Sequence, residues 1–264
     1  MADQPSLAVT RDARGIATVA LDRPAVRNAM SPALMDELAA TIGALGADAT
    51  VRAIVLRGNG PVFCAGADLN WMRDTEGASP EEVAADSRRL QAMYAALAGC
   101  PKMTVARIHG AALAGALGLV GCCDVAIAAE GTRFCLSEVR IGLAPGIISS
   151  FLLPRIGPGW LRYFAIGAVV FGTAEAVRAG LIHEVAADEA DLDARVEAHC
   201  RLALAASPEA VAATKALLAD MGAAPDAAAF ETALGWNVRT RTSEAAHEGI
   251  GAFLERRKAR WVVD

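Results

Sequence analysis

The sequence predicts an α/β core followed by a region built of helices alone. Short apolar runs of strand length alternate with helical patterns through the first half, and from Ile147 onward helical patterns dominate. A chain of 264 residues with a hydrophobic share of 54% also suffices for one large domain, or a domain with a smaller appendage.

Leu7–Thr10 and Ile16–Leu21 read as strands joined through Asp12-Ala13-Arg14-Gly15, a hairpin-like signal. Ser31-Pro32 opens a helix, since serine suits the cap and proline the first turn, and Leu34, Met35, Leu38, Ile42 and Leu45 share one face. Ala53–Leu56 is a buried strand, Pro80–Ala98 a long helix and Met103–Ile108 a strand. Gly115–Cys122 reads as a buried helix feeding the strand Asp124–Ala128. Beyond it, helices are expected around Pro158–Ile166, Thr173–Ala179, Ala190–Ala206, Pro208–Met221 and Ala227–Lys258, with Leu181–Val185 the single strand of that half. The switch near residues 190–205 divides the chain into an α/β core, residues 1–200, and a helical region, residues 201–264. No internal sequence repeat is evident.

The formal charge of -5 argues against nucleic-acid binding, which calls for a basic face. A small anionic ligand needs only a few local cations. The six cysteines (Cys64, Cys100, Cys122, Cys123, Cys135, Cys200) lack paired CxxC spacing and read as small core residues in a reducing compartment. The first residues carry no secretion signal, and the longest uncharged run, between Arg107 and Asp124, is shorter than the roughly 20 residues that span a bilayer. A cytoplasmic protein without membrane partners is expected. His183, His199 and His247 have no metal-site spacing, His109 reads as structural, and no Gly-rich phosphate loop is present.

Two runs of small residues stand out: Phe63-Cys64-Ala65-Gly66-Ala67-Asp68-Leu69 and Gly110-Ala111-Ala112-Leu113-Ala114-Gly115. Each can bring bare backbone N–H groups up to a ligand, and two such donors on one carbonyl oxygen make an oxyanion hole. Gly115 precedes an apolar helix whose free N–H groups and positive dipole end face whatever lies there. Taken singly, such turns are common. Glu138 follows the apolar run Phe134-Cys135-Leu136; by its residues alone it reads first as a carboxylate at a helix end or beside an arginine, and second as an acid/base group.

Several motifs occur in order along the chain: Leu21-Asp22-Arg23-Pro24-x-x-x-Asn28-Ala29, the two small-residue runs, Cys123-Asp124-Val125-Ala126-Ile127-Ala128, Phe134-x-x-Ser137-Glu138-x-x-x-Gly142-Leu143-x-Pro145, and Glu248-Gly249-x-x-Ala252-Phe253-x-Glu255-Arg256-Arg257. Together they resemble the enoyl-CoA hydratase/isomerase (crotonase) family over nearly the whole chain. The resemblance implies a spiral of β-β-α repeats with a C-terminal helical trimerisation region, and a homotrimer or a homohexamer formed as a dimer of trimers. It implies an acyl-CoA thioester as substrate, with coenzyme A as part of that substrate and no separate cofactor or metal. Ala67 and Gly115 fall on the oxyanion amides and Glu138 on a catalytic glutamate, whose pKa an apolar pocket would raise toward neutrality.

The best-studied hydratases of the family carry a second glutamate three residues after the oxyanion glycine, where this chain has Gly118. Glu138 then handles both proton transfers through one water, or another group positions that water, or the reaction is an isomerisation. The wording Asp68-Leu69-Asn70-Trp71-Met72 and Phe134 to Pro145 resembles a bacterial branch assigned to methylglutaconyl-CoA or isohexenylglutaconyl-CoA hydration, in leucine or acyclic terpene breakdown. Such substrates carry a second carboxylate. Arg140 is a candidate partner for it, and reads otherwise as a structural salt bridge orienting Glu138. Trp71 walls the acyl pocket or merely packs.

For the CoA moiety the resemblance points to Arg27 near the phosphates. It places Ala65, Asp68 and Leu69 along the adenine pocket, and Phe253 and Arg256 where they reach the CoA of a neighbouring subunit. Three readings compete: an enoyl-CoA hydratase, a Δ3,Δ2-enoyl-CoA isomerase using one glutamate, and a non-catalytic acyl-CoA-binding protein, for which Gly118 is the main support.

Overall fold

Strands β1 (Leu7–Arg11) and β2 (Ile16–Leu21) form the expected antiparallel hairpin, Leu7 opposite Leu21, and everything added to β2 is parallel. The computed structural model of the chain describes residues 6–68, 71, 73, 77–221 and 227–263. After β2 come α1 (Pro32–Ala47), β3 (Ala53–Gly58), α2 (Pro80–Ala98), β4 (Met103–Ile108), β5 (Ala111–Leu113) and α3 (Ala116–Cys122). Next are β6 (Val125–Ala129), β7 (Arg133–Cys135), α4 (Gly146–Gly167), β8 (Val170–Phe171), α5 (Thr173–Arg178) and β9 (Glu184–Ala186). The chain closes with α6 (Glu189–Ala205), α7 (Pro208–Asp220), α8 (Ala227–Arg241) and α9 (Glu244–Leu254).

One sheet has the order β1-β2-β3-β4-β6-β9 and a second, smaller one β5-β7-β8. Isolated bridges, Met30 to Ala67 and Cys64 to Ala112, extend the smaller layer toward the N-terminal side. Each turn of chain thus lays one strand in the large sheet, a short stretch in the small layer, and then a helix. β3 leads through Cys64 to α2, β4 through β5 to α3, and β6 through β7 to α4. This is the expected spiral of β-β-α turns, repeated in space without a repeat in sequence.

Period-two alternation sends Val19, Leu21, Ile54, Leu56, Ala106 and Ile108 into one core with α1 to α4. The alternate residues Ile16, Val55, Val105 and Ile127 meet Leu192, Val196, Cys200 and Leu204 of α6 on the opposite face. Covering both faces suits a parallel sheet. Residue 200, the expected boundary, therefore falls inside a helix that packs on the large sheet. Ser31 caps α1 by accepting from Leu34 N, and Ser79 with Glu82 forms a capping box on α2.

Three expectations need correction. The helix expected around Pro158–Ile166 is the second part of α4, which begins at Gly146 and bends at Gly157 (φ 72°), just before Pro158. The strand expected at Leu181–Val185 is confined to Glu184–Ala186, and β8 adds a second strand in that half. The helix expected over Ala227–Lys258 breaks at Thr242-Ser243, where the Ser243 side chain accepts from Ala246 N and starts α9. Trp71 and Arg73 are helical, and Leu69, Asn70 and Met72 lie outside the described residues. Among the described residues no single helix is long and apolar enough to cross a membrane. All six cysteines are free and buried, and burial pushes the Cys64 and Cys122 thiols up to about 12.

Candidate active site

Ala67 sits in the parallel bridge to Met30. Met30 N donates to Gly66 O (2.7 Å) and Asp68 N to Met30 O (3.0 Å), which leaves the Ala67 N–H with no acceptor among the described residues. One layer along, Gly115 caps α3. Leu117 N donates to Ala114 O (3.0 Å) and Gly118 N to Gly115 O (3.1 Å), while the Gly115 N–H has no acceptor among the described residues. The two segments touch: a Cβ on Gly66 would stand 2.8 Å from Leu113 O and 2.9 Å from Ala114 Cβ. Ala114 itself is held at φ 48°, a left-handed conformation that a residue with a Cβ adopts only under constraint.

Glu138 comes from the next layer. Leu113 pairs with Cys135 across β5 and β7, and Ala114 N donates to Cys135 O (2.7 Å), which sets the turn after β7 beside the Gly115 turn. Glu138 opens a short 3-10 turn, Glu138–Ile141, closed by Leu143 N donating to Glu138 O (3.1 Å). The residue is only 9% exposed, and both carboxyl oxygens are buried with no hydrogen-bond partner. Desolvation raises its pKa above the ordinary 4.5. A buried carboxyl without a partner costs stability, and such groups concentrate where chemistry needs them.

Gly118, the position of the second glutamate in the best-studied hydratases, lies under an aromatic ring. A Cβ there would stand 2.5 Å from Tyr94 Cζ, 2.6 Å from Cε1 and 2.8 Å from Oη. Tyr94 is fully buried, and its hydroxyl donates to Gly115 O at 2.6 Å. Burial pushes the phenol's pKa well above its ordinary value of 10. Tyr94 was not singled out by the sequence: beside Met93 and Leu97 it has only the appearance of one more core position.

Of the residues expected at the CoA side, Arg27, Ala65 and Asp68 lie close together in the chain's N-terminal layer. Ala65 N donates to Arg27 O (3.0 Å), so those two are joined through the backbone, with the Arg27 side chain exposed. Asp68 is buried and pairs with Arg23 at 3.2 Å. Asn28, quoted only as part of a motif, is the buried hub of this group. Its amide donates to the carbonyls of Asn59 (2.8 Å), Val62 (3.0 Å) and Phe63 (3.1 Å) and accepts from Arg23 N (2.9 Å).

Trp71 packs partly buried against the main core. Leu69 lies outside the described residues. The expected Arg140 salt bridge is corrected: its guanidinium donates to the Ala168 carbonyl at 2.6 Å, and the Glu138 oxygens stay unpaired. Phe253, 83% exposed, and Arg256, also exposed, stand at the end of α9, and among the described residues neither bonds to this site within the chain. Among the described residues no cluster of His, Cys, Asp and Glu has the makings of a metal site.

Stacked β-β-α turns with a helical C-terminal region make this a crotonase fold. An enoyl-CoA hydratase structure from Shewanella pealeana matches with a TM-score of 0.92 and 33% identity, covering 97% of this chain and 96% of that one. Pseudomonas aeruginosa AtuE matches with a TM-score of 0.92 and 35% identity, covering 98% of this chain and all of that one at 100%. The sequence profile described as Enoyl-CoA hydratase/isomerase matches residues 11–263, and the chain belongs to that family. The 2,3-dehydroadipyl-CoA hydratase of Escherichia coli is 31% identical over 258 residues, 95% of this chain and 96% of the relative. With hydratases recurring among its relatives, the chain is an enzyme of the carbon–oxygen lyase class at the level of the family.

Proposed function

We propose that this chain is an enoyl-CoA hydratase that adds water across the α,β double bond of a branched or dicarboxylic 2-enoyl-CoA. The observation that carries the reading is the buried, unpartnered Glu138 carboxyl on the layer next to two unpartnered backbone amides. The thioester oxygen accepts from the Ala67 and Gly115 amides, which are then satisfied. As water oxygen bonds to Cβ, the π electrons move onto the thioester oxygen and Glu138 takes the water proton. The enolate then collapses, and Glu138 returns that proton to Cα. One molecule of water is added and the carboxylate is regenerated. Each amide aimed at the developing oxyanion is worth about 3 kcal/mol in the transition state. The raised pKa of Glu138 suits a group that both takes and gives a proton near neutrality.

A relative named for 2,3-dehydroadipyl-CoA supports a dicarboxylic acyl chain. Coenzyme A arrives with the substrate, and no other cofactor is called for. Exposed Ile250, Phe253 and Leu254 on α9 support burial against other copies of the chain, in a trimer or a dimer of trimers, where Phe253 and Arg256 would reach a neighbour's CoA.

The Tyr94 ring at Gly118 leaves a single carboxylate, which also favours a second reading: a Δ3,Δ2-enoyl-CoA isomerase shuttling one proton. The test is a spectrophotometric screen for the conjugated thioester band over straight, branched and dicarboxylic enoyl-CoAs, with mass spectrometry of the product. Loss of the band with a gain of one water supports hydration, and a product of unchanged mass supports isomerisation. Neither change across the panel would overturn both.

A further inference from the structure

We propose that Tyr94 is the positioning residue of the oxyanion hole: its hydroxyl holds the Gly115 carbonyl, on the peptide next to the one that carries the donor N–H, while its ring occupies the place a side chain at position 118 would take. The proposal rests on reading the Ala67 and Gly115 amides as that hole. Filling the core does not account for the hydroxyl, because phenylalanine would occupy the same volume with no buried polar atom to satisfy. The hydroxyl is spent on one acceptor, Gly115 O at 2.6 Å.

That carbonyl belongs to the residue whose N–H is the donor, directly after the strained Ala114 at φ 48°. Such a conformation persists only where its surroundings over-determine it. Here the clamps are Ala114 N to Cys135 O (2.7 Å) on one side, and Tyr94 Oη and Gly118 N (3.1 Å) on Gly115 O on the other. Tyr94 is in turn fully buried on α2 and packed on Phe151 with ring centroids 5.3 Å apart.

The absence of a side chain at position 118 follows from the same ring, whereas at position 115 Met30 stands in the way first. A Cβ on Gly115 would press on Met30 Cε and stand 3.1 Å from Tyr94 Oη, and one on Gly118 would overlap the ring. A tyrosine clamp and a side chain at position 118 therefore exclude one another, and the hole is aimed by a residue one whole turn of the spiral earlier in sequence.

The experiment is Tyr94→Phe in the full chain, read with dimethylaminocinnamoyl-CoA, whose push–pull absorption band moves to longer wavelength as its carbonyl is polarised, and by α-proton exchange of butyryl-CoA in deuterated buffer. The expected result is an intact fold and a butyryl-CoA affinity within about twofold of the wild type. The red shift is smaller, and exchange is slower by about five- to tenfold, the worth of one hydrogen bond lost from an aligned site. Should Tyr94→Phe not fold, Gly118→Ala displaces the ring and is read the same way.

A folded variant whose band position and exchange rate equal the wild type overturns the proposal alone. A wild type that shows no red shift overturns the hole, and the proposal with it. A wild type that shifts the band but hydrates no enoyl-CoA refutes the hydratase reading, while the comparison of the two bands still decides the role of Tyr94.

Discussion

Alanine at position 118 sets two effects of opposite sign against each other. Gly118 lies inside α3, where replacing glycine by alanine in a free helix stabilises by about 1 kcal/mol. Yet the new Cβ would stand 2.5 Å from Tyr94 Cζ and 2.6 Å from Cε1, against roughly 3.5–4.0 Å for an unstrained carbon contact. The ring must retreat by about 1 Å, in a core packed as densely as an organic crystal. Overpacking of this kind costs about 1–3 kcal/mol. Pulling the hydroxyl from Gly115 O adds about 1–3 kcal/mol. The clash wins, with a net loss of about 1–5 kcal/mol after the propensity gain is subtracted.

For a chain of this size that loss lowers Tm by about 2–4 °C per kcal/mol. Urea unfolding followed by circular dichroism measures it, in the wild type and again in Tyr94→Ala. Without the ring the clash is gone, so Gly118→Ala is expected to stabilise Tyr94→Ala by about 1 kcal/mol, a reversal of sign between backgrounds. Gly118→Ala as stable as the wild type, or equally harmful in both backgrounds, refutes the packing of Tyr94 on Gly118.

Other perturbations give equally direct outcomes. The folded-state pKa of Glu138 lies above its unfolded value of 4.5, so the fold favours the protonated carboxyl and its contribution is lost as pH rises through the raised pKa. Glu138→Gln is therefore expected to melt above the wild type at pH 8, with the gap closing below pH 4.5; equal melting at pH 8 would contradict the burial argument. Asn28→Ala strands three carbonyls at the edge proposed for CoA and should cost at least about 3 kcal/mol in urea unfolding, with a weaker affinity for free CoA if that proposal holds. Lys215 donates to Asp124 (2.6 Å) and to Lys102 O (3.1 Å), tying α7 to the large sheet. Lys215→Met should lose about 1–3 kcal/mol and raise hydrogen exchange in α7 before that of β3 and β4.

The large sheet was legible because β2, β3 and β4 are six-residue strands rich in β-branched and aliphatic side chains, with Arg57 and Arg107 as the only charged residues inside them. The small layer was not. Its strands are two or three residues long, too short for any periodicity, and β8 carries no signal beyond two apolar side chains. The break between α8 and α9 escaped notice because the apolar pattern runs on through Thr242-Ser243, and only the Ser243 cap marks it. The small-residue turns were singled out from the residues themselves, while the acid/base reading of Glu138 came from the family resemblance. Arg140 illustrates the limit: its partner is a backbone carbonyl at Ala168, a choice made by the end of α4 and invisible in the side chains of either segment. Tyr94 occupies an ordinary core position of α2, and its role emerges only from what lies beneath it.

The central claim is that two backbone amides stabilise an enolate whose proton Glu138 carries. It is tested most directly by α-proton exchange of a saturated acyl-CoA in deuterated buffer, followed by NMR for the wild type and Glu138→Gln at matched saturation. The wild type is expected to exchange at Cα, and Glu138→Gln to bind the thioester while exchanging at least about a hundredfold more slowly. Equal exchange in the two proteins would contradict the account.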